Sequence, residues 1–295
     1  MINFIQTVIR KIRFKNFKIQ HIGRSKDFNV TAVKSSLGFW YVGNIFNESD
    51  ISYGILRNGV VEEHETNLVS FILKIIVDDN NKLILFDVGA NTGYYGIMSA
   101  YMFKDFENIK VFSFEPIEEF SKCLKESTVI NNLNNKITVF DLALSNTVGS
   151  AEIELSGSGT SLTKGFNGDI KLQKRQITVT SLDVLYEEGK IELPDFIKID
   201  VEGHEFNVLS GAQKVIKLSQ PIIFLEIAKT IKSRKYINNN YEKIIKFLLD
   251  FDYNVYVLLG DKLKKVSIVD DLDGVNMYLC LSTVKHKKII SLLSL

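Results

Sequence analysis

The chain has 295 residues, 45% apolar and 24% charged, enough to bury a large core in one sizeable α/β domain with an appendage. Its 36 basic and 35 acidic residues leave a net charge of +1, so the chain as a whole has no bias toward nucleic acid. Cys123 and Cys280 lie far apart and outside any CxxC pair, which excludes a disulfide framework, argues against zinc and fits a reducing cytosol.

Along the chain, Arg10, Lys11, Arg13, Lys15, Lys18, Arg24 and Lys26 all precede the first acid, Asp27. Ile2, Phe4, Ile5, Val8, Ile9 and Ile12 recur near helical spacing. This stretch reads either as a helix packed on the domain or as a basic amphipathic helix, within residues 1–26, resting on the anionic inner face of a membrane. No apolar run is long enough to predict a membrane span. Residues 28–33 and 39–42 read as short strands. Residues 60–77 read as a helix with Leu68, Phe71, Ile72, Ile75 and Ile76 on one face. The chain therefore divides into a basic amphipathic and β extension, 1–60, and a main domain, 61–295.

From residue 83 the pattern alternates. Strand-like runs at 83–88, 110–114, 137–142, 196–200 and 222–227 interleave with helix-like runs at 93–104, 117–130, 204–217 and 241–251. This predicts a doubly wound, mainly parallel sheet. Two later runs, 254–259 and 276–281, flank only a polar turn-like segment and predict an antiparallel pair at the sheet edge. A hairpin at 151–155 and 176–180 flanks a Gly- and Lys-rich loop too long for a plain connection, and so a candidate lid or substrate loop.

The stretch "LILFDVGANTGYYG" (83–96) is a strand, a glycine turn and a helix start. Gly89 permits the sharp turn and Gly93 a close approach. The spacing is not the dinucleotide G-x-G-x-x-G, which disfavours NAD. Asp87, two residues before the first glycine, suits a cationic group such as an amino-acid ammonium, directly or through water. The second strand ends in "FSFEP", where Glu115 can accept from two ribose hydroxyls. In "VFDLALS", Asp141 can accept from an adenine amino group and Ala143 can pack on the ring. The set fits S-adenosylmethionine. Against it stand plain readings: Asp87 as a turn cap, Glu115 as a surface acid, Asp141 as a loop residue.

Together, "FDVGANTGYYG", "FSFEP", "TSLDVL" and "IKIDVEGHEFNVLSGA" resemble the FkbM family of S-adenosylmethionine-dependent methyltransferases over about residues 62–227. The resemblance implies a Rossmann-like class I methyltransferase fold and transfer to a hydroxyl oxygen. It matches Asp87, Gly89, Asn91 and Gly93 to the cofactor loop and Glu115 to the ribose acid. The first and last 60 or so residues carry no such signature.

"DFIKIDVEGHEF" (195–206) falls at the carboxyl end of the fourth strand, facing the cofactor crevice. An alcohol is a poor nucleophile at neutral pH, so its proton must be removed as the methyl arrives. Asp200 is the first candidate for base or acceptor-orienting group. Glu202, His204 and Glu226, the last in "FLEI", are its candidate partners. Glu205 reads as a helix-start residue. Oxygen ligands would suit Mg²⁺, but no ligand spacing demands a metal and none is expected. Trp40, Tyr41, Tyr94 and Tyr95 either stack on a sugar or pack.

The leading expectation is an O-methyltransferase acting on a sugar or glycan precursor, cytoplasmic and peripheral to the inner membrane. The sugar comes from the family's habit and the basic N-terminus. Other readings are methylation of a lipid, polyketide or other small molecule, and a non-catalytic binding protein on the same fold. Nucleic acid is not an expected partner: the core has no basic stripe, and no N/D-P-P-aromatic signature is present.

Overall fold

A computed structural model describes residues 19–25, 28–45, 47–48, 50–157, 160–164, 166–168, 172–267 and 273–295, with side chains from residue 31 onward. The amphipathic segment 1–18, on which the membrane-surface reading falls, lies outside the described residues.

Three antiparallel strands come first: β1 (Ile19–Ser25), β2 (Phe28–Lys34) and β3 (Trp40–Gly43). Helix α1 (Ile51–Asn58), which the sequence pattern did not suggest, is capped by Asp50, whose carboxylate accepts from the Ser52 amide at 2.8 Å. Helix α2 (Glu63–Asn80) begins and ends three residues later than the pattern placed it.

The central sheet has eight strands. They are β4 (Leu83–Val88), β5 (Ile109–Phe114), β6 (Ile137–Phe140), β10 (Phe196–Ile199), β11 (Ile222–Ala228), β14 (Tyr253–Leu259), β15 (Lys262–Lys265) and β16 (Val275–Ser282). Their order is β15-β14-β16-β11-β10-β4-β5-β6. The block from β6 to β11 is parallel, and β16 enters antiparallel between β11 and β14. This is a doubly wound, Rossmann-like order, as the family resemblance implied. The antiparallel pair is present, but it is not the outer edge. The polar segment between its members folds as β15, with Lys262, Lys264 and Lys265 along it, and that strand closes the sheet.

Alternation along the strands decides the layers. Leu83 and Leu85 face one side with Ile72 and Leu73 of α2, Ile97 and Met98 of α3 (Tyr94–Met102), and Leu124 of α4 (Glu118–Ile130). Ile84, Phe86 and Val88 face the other side. There they meet Leu209 of α6 (Glu205–Ser210), Val215 and Ile216 of α7 (Gln213–Ser219), and Ile244 and Leu248 of α8 (Tyr241–Asp250). The single helix expected at 204–217 is broken between α6 and α7. Gly211 lies there against the Ser145 carbonyl, so close that a Cβ would sit 2.1 Å from it.

The N-terminal strands join this core. Phe39 and Tyr41 belong to the α2–α3 cluster. Asn131, at the end of α4, accepts from the Trp40 amide at 2.8 Å and donates to its carbonyl at 2.6 Å, and Ser127 Oγ accepts from the Val42 amide. The hairpin insertion is β8 (Gly149–Leu155) and β9 (Gln173–Thr180), joined by the short β7 (Ala143–Leu144); α5 (Leu182–Glu187) follows. Of the loop inside it, Ser161 Oγ donates to the Glu202 carbonyl at 2.5 Å, and Phe166 is buried against Tyr236 of β13 (Tyr236–Ile237), the partner of β12 (Thr230–Ile231). A last helix, α9 (Lys287–Leu292), follows β16.

Candidate active site

A cavity of about 340 Å³ opens at the carboxyl ends of β4, β5, β10 and β11, where a doubly wound sheet places its ligand. The strand ends set its geography. Ala143 and Leu144 mark one end, Glu115 comes next, then the Gly89–Ala90–Asn91 turn, and then Lys198, Asp200 and Glu226.

The turn after β4 is tightly built. Gly89 has φ +74°, and a Cβ there would lie 1.8 Å from the Asp200 carbonyl oxygen. Gly93 has φ +90° and sits against Leu124, where it lets α3 and α4 approach. Asn91 also adopts the left-handed region, and its amide donates to Glu115 Oε2 at 2.8 Å. The other carboxylate oxygen of Glu115 accepts from the Ile117 amide at 2.8 Å. Burial pushes the Glu115 carboxyl up to about 7, against those two amide bonds. The remaining lone pairs of this fixed carboxylate can accept from vicinal ribose hydroxyls. The cradle thus fits S-adenosylmethionine by backbone and acid geometry alike.

Gly89, Asn91, Glu115 and Ala143 line the cavity. Three expected cofactor residues do not. Asp87 is 1% exposed beneath the turn, with Oδ2 accepting from the Gly96 amide at 2.9 Å and Oδ1 without a partner. Its side chain shares the helix-covered face of β4 with Leu85 and holds the start of α3 through the Gly96 amide. Gly93 serves helix packing. Asp141 lies past the end of β6, which stops at Phe140. It is exposed and paired with Lys125 at 2.6 Å, away from the cavity.

All four expected catalytic residues line the cavity. The register that pairs Ile199 with Leu225 brings Asp200 and Glu226 abreast at the next position. Glu202, at φ 53°, turns in beside them, and oxygens of Asp200, Glu202 and Glu226 lie within 4.8 Å of one another. That spacing also suits the oxygen ligands of a divalent cation. Burial, then the charge of Asp200, pushes the Glu202 carboxyl up to about 8, with Arg234 and Lys198 opposing. The same two causes, with Glu202 added, hold Glu226 well above the ordinary carboxylate range. Burial lowers His204 to about 4, so its imidazole is neutral at pH 7; Nε2 lies 3.0 Å from Ser145 Oγ. Glu205 sits in the first turn of α6, accepting from the Gly203 amide at 2.7 Å.

The sequence reading missed three residues. Lys198, inside the apolar strand β10, is 4% exposed and lines the cavity. Its ammonium lies 2.9 Å from Asp200 Oδ2 and 4.7 Å from the Tyr95 ring centroid. Burial pulls the ammonium down, but Asp200, Asp87 and Glu62 outweigh it and raise the group above the ordinary lysine range. Glu62 also lines the cavity and accepts from Tyr95 Oη at 2.6 Å. Ser145 orients His204. A lysine within an apolar strand was the one available signal; Glu62 and Ser145 had none. Of the four aromatic residues weighed for stacking, Tyr94 and Tyr95 border the cavity but are almost wholly buried, while Trp40 and Tyr41 pack elsewhere.

Two expected results arise from these charges. Lys198→Met leaves buried carboxylates without their cation and should cost about 3 kcal/mol of stability by denaturant unfolding. Losing less than about 1 kcal/mol would show the acids are neutralised another way. Glu202 gives a pH signature. Between its ordinary value of 4.5 and about 8, the folded protein holds a proton the unfolded chain has lost. That contribution to stability is full below the lower value and disappears as pH rises through the upper one. Glu202→Gln should therefore gain thermal stability relative to the wild type from about pH 5 to about pH 9. A constant difference across that range would exclude the raised carboxyl.

Residues 87–255, more than half of the chain, match the profile of the methyltransferase FkbM domain. A curated relative, "Hexuronic acid methyltransferase AglP" of Haloferax volcanii, is 26% identical over 163 residues. The match spans 55% of this chain and 62% of that protein's length. Among solved structures, methyltransferase FkbM from Methylobacillus flagellatus KT is 18% identical, with 68% of this chain and 44% of that one covered and a TM-score of 0.44. A SAM-dependent methyltransferase from Agrobacterium tumefaciens is 9% identical, with 86% and 70% covered and a TM-score of 0.48.

Proposed function

The chain belongs to the FkbM methyltransferase family, and from that premise we propose that it methylates a hydroxyl oxygen of a sugar or glycan precursor. The observation that carries this reading is one continuous cavity that joins the Gly89–Glu115 cradle to the carboxylates of Asp200, Glu202 and Glu226. When bound, S-adenosylmethionine would supply an electrophilic methyl on a sulfonium, whose carbon–sulfur bond breaks as the oxygen attacks in line, with S-adenosylhomocysteine as the leaving group.

The residues divide the remaining work. Glu115 and the Gly89 turn fix the ribose. Asp200, tethered by Lys198 through Oδ2, offers the acceptor hydroxyl its other oxygen and takes the proton as the carbon–oxygen bond forms. A neutral His204 is a weak base at its lowered value and serves as a hydrogen-bond partner in the wall. Three acids on that wall suit a ligand rich in hydroxyl donors, as a sugar is. AglP, described as acting on a hexuronic acid, supports the sugar class.

The experiment compares glycans and metabolites of cells with and without the gene. The expected difference is one methyl-sized mass unit on a saccharide, with the methyl on oxygen. A methyl lost from a lipid or polyketide instead would move the acceptor to that class. Calorimetry with S-adenosylhomocysteine and NAD should give binding of the first alone; binding of NAD alone would refute the reading.

A further inference from the structure

With Asp87 buried beneath the turn, the cofactor's α-ammonium needs another anion. The strand order gives the direction in which the amino-acid tail runs. On the proposed reading, with the ribose at Glu115 just past β5 and the adenine by β7, the tail passes the β4 turn toward β10. At that end the cavity is bordered by Glu62, Tyr95, Lys198 and Asp200.

Glu62 is built for such a role. It stands at the N-cap of the 18-residue α2, yet its side chain makes no capping bond. Its backbone lies in the left-handed region, φ 47° and ψ 60°, which residues with a Cβ rarely adopt. The carboxylate lines the cavity instead. Tyr95 Oη holds Oε2 at 2.6 Å, fixing the group in place.

The charges agree. Asp87, Asp200 and Glu62 all act on the single ammonium of Lys198, so the pocket is short of positive charge. Lys198 is already engaged by Asp200 at 2.9 Å. Among the described residues Glu62, like Glu202 and Glu226 beyond Asp200, makes no ion pair with a cation, and of these three it is the one that Tyr95 holds beside the β4 turn, where a ligand ammonium would supply the missing charge.

We propose that Glu62, held by Tyr95, is the residue that binds the α-ammonium of S-adenosylmethionine. The assignment rests on the cofactor and is independent of which acceptor is methylated. Its test uses binding alone. Wild type and Glu62→Gln are titrated calorimetrically with S-adenosylhomocysteine and with 5′-methylthioadenosine, which has the same nucleoside and no amino-acid tail. The charge-assisted bond predicts about tenfold or greater loss of S-adenosylhomocysteine affinity in the variant, with 5′-methylthioadenosine unchanged. Tyr95→Phe should weaken the same ligand by a smaller factor and again spare the tailless one. Unchanged affinity for S-adenosylhomocysteine in Glu62→Gln overturns the assignment. So does equal loss for both ligands, which would mark a general disturbance of the fold. A wild type that binds neither ligand would instead refute the cofactor reading itself.

Discussion

Replacing Gly89 with alanine is expected to abolish cofactor binding and to destabilise the whole domain. The residue sits at φ +74°, where a side chain costs about 1 kcal/mol. The added Cβ would also meet the Asp200 carbonyl oxygen at 1.8 Å. That oxygen belongs to the backbone at the end of β10 and cannot rotate aside, so the turn must move. Overpacking of this kind adds about 1–3 kcal/mol. At about 2–4 °C per kcal/mol for a domain of this size, the melting temperature should fall by about 5–15 °C. Moving the turn also displaces the Asn91 amide from Glu115. The affinity for S-adenosylhomocysteine should fall by about a hundredfold or more, since the ribose acid loses its orientation. A variant that melts and binds like the wild type would show that the turn has room the geometry denies.

The second large effect is on chemistry. Asp200→Asn keeps the shape of the side chain and an oxygen for Lys198, but it cannot take a proton. Methyl incorporation into the glycan fraction should drop by about 10²–10⁴, the usual range for a positioned acid or base. Affinity for S-adenosylhomocysteine should change by less than about threefold, because the expected loss belongs to the transition state. Full retention of turnover would clear Asp200 and pass the proton to Glu202 or Glu226, whose raised values make them stronger bases once ionised.

How well the site could be read from sequence depended on how local each cause was. Gly89, Asn91 and Glu115 were legible because a turn and the next strand end create them within a few residues. That Asp200, Glu202, His204 and Glu226 would share one cavity wall was legible because the first three follow the end of β10 and Glu226 sits near the carboxyl end of β11, its parallel neighbour. The layer in which Asp87 lies was not legible from the motif. Its position in the alternation of β4 puts it with Leu85, under α3, where Gly96 receives it. The surroundings of Asp141 turned on a boundary: β6 ends two residues early, and the acid pairs with Lys125. Glu62 was beyond reach, since only the tertiary fold sets the start of α2 over Tyr95 and Lys198. The doubly wound, mainly parallel sheet followed from alternation. β15 did not, because its charged sequence, KLKK, looks like a turn.

That charged strand has a consequence for how copies of this protein meet. An open sheet edge is a template on which another chain can add a strand. Here the outermost strand is four residues long and carries Lys262, Lys264 and Lys265. Two copies approaching edge to edge would set the ammonium groups of Lys262 and Lys265 on each side against one another, along a line too short to repay the repulsion with backbone hydrogen bonds. The lysines thus act as a guard against edge-to-edge aggregation, and exchanging them for threonine or valine would leave the fold intact while removing that protection.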